Sequence, residues 1–209
     1  MHFAAGLELT VLCLWTLFAL GAVPPSPGHR FNAQGFAAQV VASRNNQGLP
    51  FLVVDKVQAR VWVFNPAGQE LGQAAALLGL AVGDESVPGI GKRRLSAIRP
   101  EERTTPAGRF ASSLGLNMQG QEVLWVDYDS GISLHRAIAG QPQEHRAQRL
   151  ASTTPSDKRI SYGCINVPVP FFKRLVAPTL RTQGGIVYVL PETRPANQVF
   201  SFISEAGVR

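Results

Sequence analysis

Ten residues, Arg-Ile-Ser-Tyr-Gly-Cys-Ile-Asn-Val-Pro from Arg159 to Pro168, hold the one cysteine outside the apolar N-terminal run. Cys164 follows Gly163 directly and stands three places after Ser161, with Ile160, Ile165 and Val167 around it. That pattern suits a tight turn carrying the sulfur at its tip. Glycine beside a nucleophile permits a positive φ and close approach of a bound group. Consecutive backbone N–H groups in such a turn can point at a developing oxyanion. The chemistry would be nucleophilic attack by sulfur. A buried cysteine acting as a small hydrophobe is the other reading of the same stretch.

A thiol needs a base or a positive neighbour to become a thiolate near neutral pH. His135 and His145 are the candidates. His135 closes an apolar strand, a rigid place from which to aim an imidazole. His145 sits between Glu144 and Arg146 in a charged segment, where a solvated histidine is expected. The strand context favours His135. With no HxxxH or CxxC spacing, a structural zinc site is not expected, and neither a metal nor a cofactor is called for. If Cys13 is removed with the N-terminal segment, Cys164 has no intramolecular disulfide partner.

The elements that must hold these residues are mostly short strands. Phe51–Asp55 and Ala59–Phe64 are apolar runs joined by a tight connection, and Asn65-Pro66-Ala67-Gly68 is a turn. Leu71–Leu80 is ambiguous between strand and helix. Arg109–Ser113 and Glu122–Tyr128 read as strands, and Asp129-Ser130-Gly131 turns the chain into Ile132–His135. Gly185–Leu190 is a final strand closed by Pro191. Helices are expected over Asn32–Ser43, with Asn32 as N-cap, and over Pro168–Arg181, where Phe172, Leu175, Val176 and Leu180 recur at helical spacing. A short helical turn is expected over Val199–Glu205. Two long polar segments, 83–104 and 140–158, lack periodicity; loops of that length are usually functional, and the second is a candidate lid. The fold class is mainly β, a single barrel or sandwich domain with one or two small helices.

Composition agrees with one globular domain: 209 residues, 45% apolar and 16% charged. The net charge of +6 is spread along the chain and suits an anionic surface or polymer. No basic stripe interleaved with aromatics is present, so nucleic acid is not an expected partner. Residues 1–22 read as an export signal: Leu7–Val23 is mostly apolar, Ala19-Leu20-Gly21 offers a cleavage site, and Pro24-Pro25 breaks the helix. An uncleaved N-terminal membrane anchor is the alternative. Either places the remainder outside the cytoplasm, on the periplasmic or cell-wall side of the membrane. Residues 23–48 are expected to form a linker and short helix, 49–192 the catalytic domain, and 193–209 a C-terminal tail.

Taken together, Gly131-Ile132-Ser133-Leu134-His135 and Ser161-Tyr162-Gly163-Cys164-Ile165-Asn166 resemble the signature of the L,D-transpeptidase catalytic domain family. Val53–Phe64 resembles the family's opening hairpin, and Arg103-Thr104-Thr105-Pro106-Ala107-Gly108-Arg109-Phe110 its Thr-Pro-x-Gly-x-Phe element. The resemblance covers about residues 50–190 and has two departures. Tyr162 stands where the family usually has histidine. The interval from His135 to Ser161 exceeds the family's usual spacing, whereas that from His145 fits it.

The resemblance implies a cysteine transpeptidase of peptidoglycan, active in cell-wall organisation and cell shape. Cys164 would attack the carbonyl after the third residue of a tetrapeptide stem and expel the terminal D-alanine. His135 would take the thiol proton, with the Arg136 carbonyl fixing its tautomer. The N–H groups of Tyr162, Gly163 and Cys164 would form the oxyanion hole, and Ser161, Tyr162, Gly163 and Asn166 would line the oxyanion and substrate site. A second stem's amine would resolve the thioester into a 3-3 cross-link. A catalytically inactive wall-binding protein of the same fold and an L,D-carboxypeptidase are the alternatives.

Overall fold

The structure is a computed structural model that describes Met1 and residues 32–138 and 142–203. The expected export segment lies outside the described residues, apart from Met1. Among the described residues, no helix is long and apolar enough to cross a membrane.

The elements run α1 (Ala33–Ala42), β1 (Phe51–Asp55), β2 (Arg60–Phe64), β3 (Glu70–Ala75), β4 (Leu78–Gly79), β5 (Gly108–Leu116), β6 (Glu122–Asp127) and β7 (Ile132–Arg136). They continue with α2 (Arg146–Ala151), β8 (Arg159–Ser161), β9 (Ile165–Val167), α3 (Val169–Phe171), α4 (Ala177–Leu180) and β10 (Gly185–Val189). Eight strands form one sheet in the order β3-β2-β1-β10-β5-β6-β7-β9. Its two edges meet at a single antiparallel bridge, Leu77 with Asn166, just beyond β3. Next to that bridge, β4 pairs with β8 in parallel. The ambiguous stretch Leu71–Leu80 is therefore strand, and it closes the sheet around its core.

Strands β1, β2 and β10 are covered on both faces, which is why they read as continuous apolar runs. Successive residues of a strand point to opposite faces. Leu52, Val54, Val61, Val63, Val187 and Val189 face the inner core with Leu124, Leu134, Ile165 and Phe172. Phe51, Val53, Trp62, Phe64, Ile186 and Tyr188 face a second core, covered by Phe36 and Val40 of α1 and by Phe200 and Ile203 near the C-terminus. Asn32 caps α1 as expected, accepting the Gly35 N–H at 2.8 Å.

Among the described residues three α-helical regions are present where one or two small helices were expected, because part of the second polar segment folds as α2. The helix from Val169 to Leu180 has a π-helical turn over Phe172–Val176 between α3 and α4. Pro178 accounts for it: proline lacks an N–H, and its ring crowds the carbonyl four residues earlier. Near the C-terminus the chain makes a 3-10 turn at Ala196–Gln198, and the turn expected over Val199–Glu205 lies partly outside the described residues.

The first polar segment is braced rather than loose. It carries three short 3-10 turns. Inside it, Arg93 pairs with Glu102 at 2.9 Å, and the Arg99 N–H donates to the same carboxylate. At its start, buried Lys56 donates to Asp84 at 2.7 Å and to the Thr105 carbonyl at 2.9 Å, and lies 3.4 Å from Glu192. Burial pushes the Asp84 carboxyl up, but hydrogen bonds from Lys56, Thr193 and Glu192 outweigh it and hold the pKa at about 2.

Removing one member of a buried ion pair leaves an uncompensated charge. Lys56→Met is therefore expected to lower stability by about 3–5 kcal/mol near neutral pH. Because the Asp84 pKa is depressed in the folded chain, its contribution is present above its ordinary carboxylate value and is lost as pH falls towards about 2. Urea unfolding at several pH values should show the deficit of the variant narrowing over that window. A pH-independent deficit would place its origin elsewhere.

Candidate active site

The site is built on two neighbouring parallel strands. β7 pairs with β9 so that His135 lies opposite Asn166 and Leu134 opposite Ile165. Leu134 and Ile132 point into the inner core, which turns Ser133 and His135 to the other face. The turn before β9 carries Cys164 to that face. Its sulfur lies 3.7 Å from the Ser133 hydroxyl and 3.7 Å from the Gly131 carbonyl, and the His135 ring is near enough to lower the pKa of the thiol.

His135 is fixed from behind. Its Nδ1 lies 2.9 Å from the Arg136 carbonyl. A carbonyl can only accept, so Nδ1 carries the proton and Nε2 is left for the sulfur. Burial pushes the Cys164 thiol up, but the hydrogen bond and charge of His135, with smaller help from Ser133, outweigh it and leave the pKa below the ordinary thiol value. The arrangement can supply a thiolate poised beside an imidazolium, the state of an activated sulfur nucleophile.

The turn has its own scaffold. Gly163 has φ of +125°, and a Cβ there would lie 2.6 Å from the Thr104 carbonyl oxygen and 2.6 Å from Ile132 Cδ1. The buried Thr105 hydroxyl donates to the Gly163 carbonyl at 2.8 Å and accepts the Gly79 N–H at 2.9 Å. The Ser161 hydroxyl accepts the Gly163 N–H at 3.1 Å and donates to the Cys164 carbonyl at 2.6 Å. Asn166 donates to that same carbonyl at 3.1 Å and accepts from Arg146 of α2 at 2.5 Å.

The structure thus gathers Ser161, Tyr162, Gly163, Asn166 and His135 around Cys164, in differing roles. Ser161 and Asn166 are buried, and their side chains tie the turn together. The Gly163 N–H is engaged by Ser161, whereas the Tyr162 and Cys164 N–H groups make no hydrogen bond among the described residues. His145 is exposed at the start of α2, beside Gln148, Arg149, Ser152 and Asp157, and makes no contact with the thiol.

Four contributors have no role assigned from the sequence. Ser133 was legible in principle, being two residues before His135 on a strand and so on the same face. Thr105 lies in the Thr-Pro element, but its bond to Gly163 joins residues 58 apart in the chain. Arg103, from the first polar segment, lies with its guanidinium carbon 3.9 Å over the Tyr162 ring centre. Arg146 holds Asn166, so the expected lid segment is tied to the turn.

Gly163→Ala is expected to impair both fold and reactivity. The added methyl meets backbone on one side and a core isoleucine on the other, and φ is in the region disfavoured for L-residues. A loss of about 1–3 kcal/mol in thermal or urea unfolding, with slower alkylation of Cys164, is the expected outcome. Unchanged alkylation and stability would mean that the turn relaxes freely.

No protein-family model matches the chain, and a search of curated proteins finds no match. Among solved structures its neighbours include L,D-transpeptidase domains and a cell-shape protein. An Enterococcus faecium L,D-transpeptidase is 18% identical, with 67% of this chain and 49% of that chain covered and a TM-score of 0.38. The helical cell shape determining protein Pgp2 of Campylobacter jejuni is 13% identical, with 70% and 49% covered and a TM-score of 0.45. The isolated catalytic domain of the E. faecium L,D-transpeptidase is 18% identical, with 67% and 95% covered and a TM-score of 0.36. The chain therefore spans about half the length of the two larger structures.

Proposed function

We propose that the protein is an exported cysteine acyltransferase of the L,D-transpeptidase type, acting on peptidoglycan tetrapeptide stems. The observation that carries this reading is the Cys164–His135 pair. A thiol sits at the tip of a glycine turn, its pKa is lowered by an imidazole, and that imidazole is oriented by the Arg136 carbonyl. The signature residues around it supply the substrate class.

The reaction then runs as follows. The Cys164 thiolate attacks the carbonyl after the third stem residue, and the Tyr162 and Cys164 N–H groups face the oxyanion. Collapse of the tetrahedral intermediate breaks the amide bond. The protonated His135 delivers its Nε2 proton to the departing amine of the terminal D-alanine. A thioester remains on Cys164, and it conserves the free energy of the cleaved bond without a nucleotide. An amine from a second stem attacks that thioester, His135 accepts its proton, and the thiolate is regenerated with a new cross-link.

Incubation with purified tetrapeptide-stem muropeptides, followed by mass spectrometry of the products, tests the reading. Cross-linked dimers that have lost one terminal alanine support transfer. Tripeptide stems alone would make the protein a hydrolase of the same bond. Unchanged muropeptides, under conditions where Cys164 is alkylated readily, would contradict the assignment.

A further inference from the structure

The first polar segment delivers a cation to the Cys164 turn. Its end is fixed there, with Thr104 against Gly163 and Thr105 bonded to it. Arg103, the residue before them, lies flat on Tyr162 at 3.9 Å. Its Nε and Nη2 donate to the Ile98 carbonyl at 3.3 and 3.1 Å, which fixes one edge of the guanidinium. The opposite edge, Nη1 with the second Nη2 proton, makes no hydrogen bond among the described residues.

The nearby carboxylates are already taken. Glu102 is held by Arg93, and Glu101 pairs with Arg99 at 3.3 Å. Arg146 and Arg159 likewise have carboxylate partners, Glu144 and Glu192. Arg103 is thus a part-buried arginine on the Cys164 turn, over Tyr162, with no carboxylate partner among the described residues. A guanidinium held in one orientation on an aromatic face presents a ready fork for two carboxylate oxygens. Tyr162 suits this task, because a histidine in its place would repel the guanidinium whenever it was protonated.

We propose that Arg103, supported by Tyr162, is a carboxylate-binding residue of the Cys164 site and selects acidic peptides with a free carboxylate next to the reacting carbonyl. The peptide class rests on the stem-peptide reading above, whereas the carboxylate site rests on the geometry of Arg103 alone. Either the C-terminal carboxylate of the leaving residue or the side-chain carboxylate of the third residue offers the required chemistry.

Alkylation of Cys164 tests the site without any turnover. Iodoacetate and iodoacetamide differ in a carboxylate, and the amide rate corrects for thiolate content. The ratio of iodoacetate to iodoacetamide rates is expected to fall about tenfold in Arg103→Gln, the size of one charge-assisted interaction of about 1.4 kcal/mol. Arg103→Lys keeps the charge but loses the fork, and its ratio should lie between the two. Equal ratios in wild type and Arg103→Gln would overturn the proposal; if that variant does not fold, a wild-type ratio in Arg103→Lys would do so.

Stem peptides with either carboxylate amidated then identify the source: the amide that raises KM in the wild type but not in Arg103→Gln marks the bound group. A ratio that responds without turnover of any stem would keep the carboxylate site and remove the peptidoglycan reading. Turnover that is indifferent to both amides, with an unresponsive ratio, would do the reverse.

Discussion

Cys164→Ser is expected to abolish acylation by stem peptide, with a loss of more than about 10³-fold, while leaving the fold intact. In the proposed reaction the site depends on an anion that forms easily. His135 lowers the thiol pKa, and sulfur is a strong nucleophile even when only partly ionised. A serine hydroxyl in the same place would stay neutral and would need its proton removed during attack. The side chain belongs to neither apolar core, and its hydrogen bonds to Ser133 and Gly131 are long ones. The thermal midpoint should therefore stay within a few degrees of wild type, a change of less than about 1 kcal/mol. Intact-mass measurement of the acylated protein, alongside thermal unfolding, checks both halves. Adduct formation at the wild-type rate in the serine variant would remove Cys164 from the mechanism.

His135→Ala should lower the acylation rate by about 10²-fold or more near neutral pH, the usual range for loss of a general base. The direction of its pH dependence follows from the influences on the thiol. Burial raises the Cys164 pKa and His135 lowers it by both hydrogen bond and charge, so removing the imidazole leaves the upward push without its main opponent. Thiolate then forms only at higher pH, and the deficit of the variant should shrink as pH rises. Arg136 contributes a backbone carbonyl, so no side-chain substitution there reproduces the effect. His145→Ala, altering an exposed residue, should leave the rate unchanged. Rapid-quench acylation across pH separates these variants. A collapsed rate in His145→Ala with a normal one in His135→Ala would reverse the assignment.

The pair itself was legible in the sequence because each member has a local signal. Cys164 follows a glycine between apolar residues, and His135 ends an alternating strand whose other face is Ile132 and Leu134. Spacing alone favoured His145, since the interval from it to Ser161 fits the family pattern. In the structure part of the intervening segment folds as α2 and is tied to Asn166 through Arg146, and His145 at its start is exposed. What could not be read locally are the contacts between distant segments. The parallel pairing of β1 with β10, the Leu77–Asn166 bridge and the Thr105–Gly163 bond depend on topology, and periodicity carries no information about which strand lies beside which. The first polar segment illustrates the same point. Its lack of periodicity suggested a functional loop, but only its return to the Cys164 turn shows why Arg103 ends up over Tyr162.

The most direct measurement is peptide mapping of the acyl-enzyme, trapped by acid quench after brief mixing with a tetrapeptide stem. A single hydroxylamine-labile adduct is expected on the peptide containing Cys164, with the mass of the stem less its terminal alanine. An adduct on another residue, or stem cleavage that continues undiminished in Cys164→Ser, would contradict the proposed reaction.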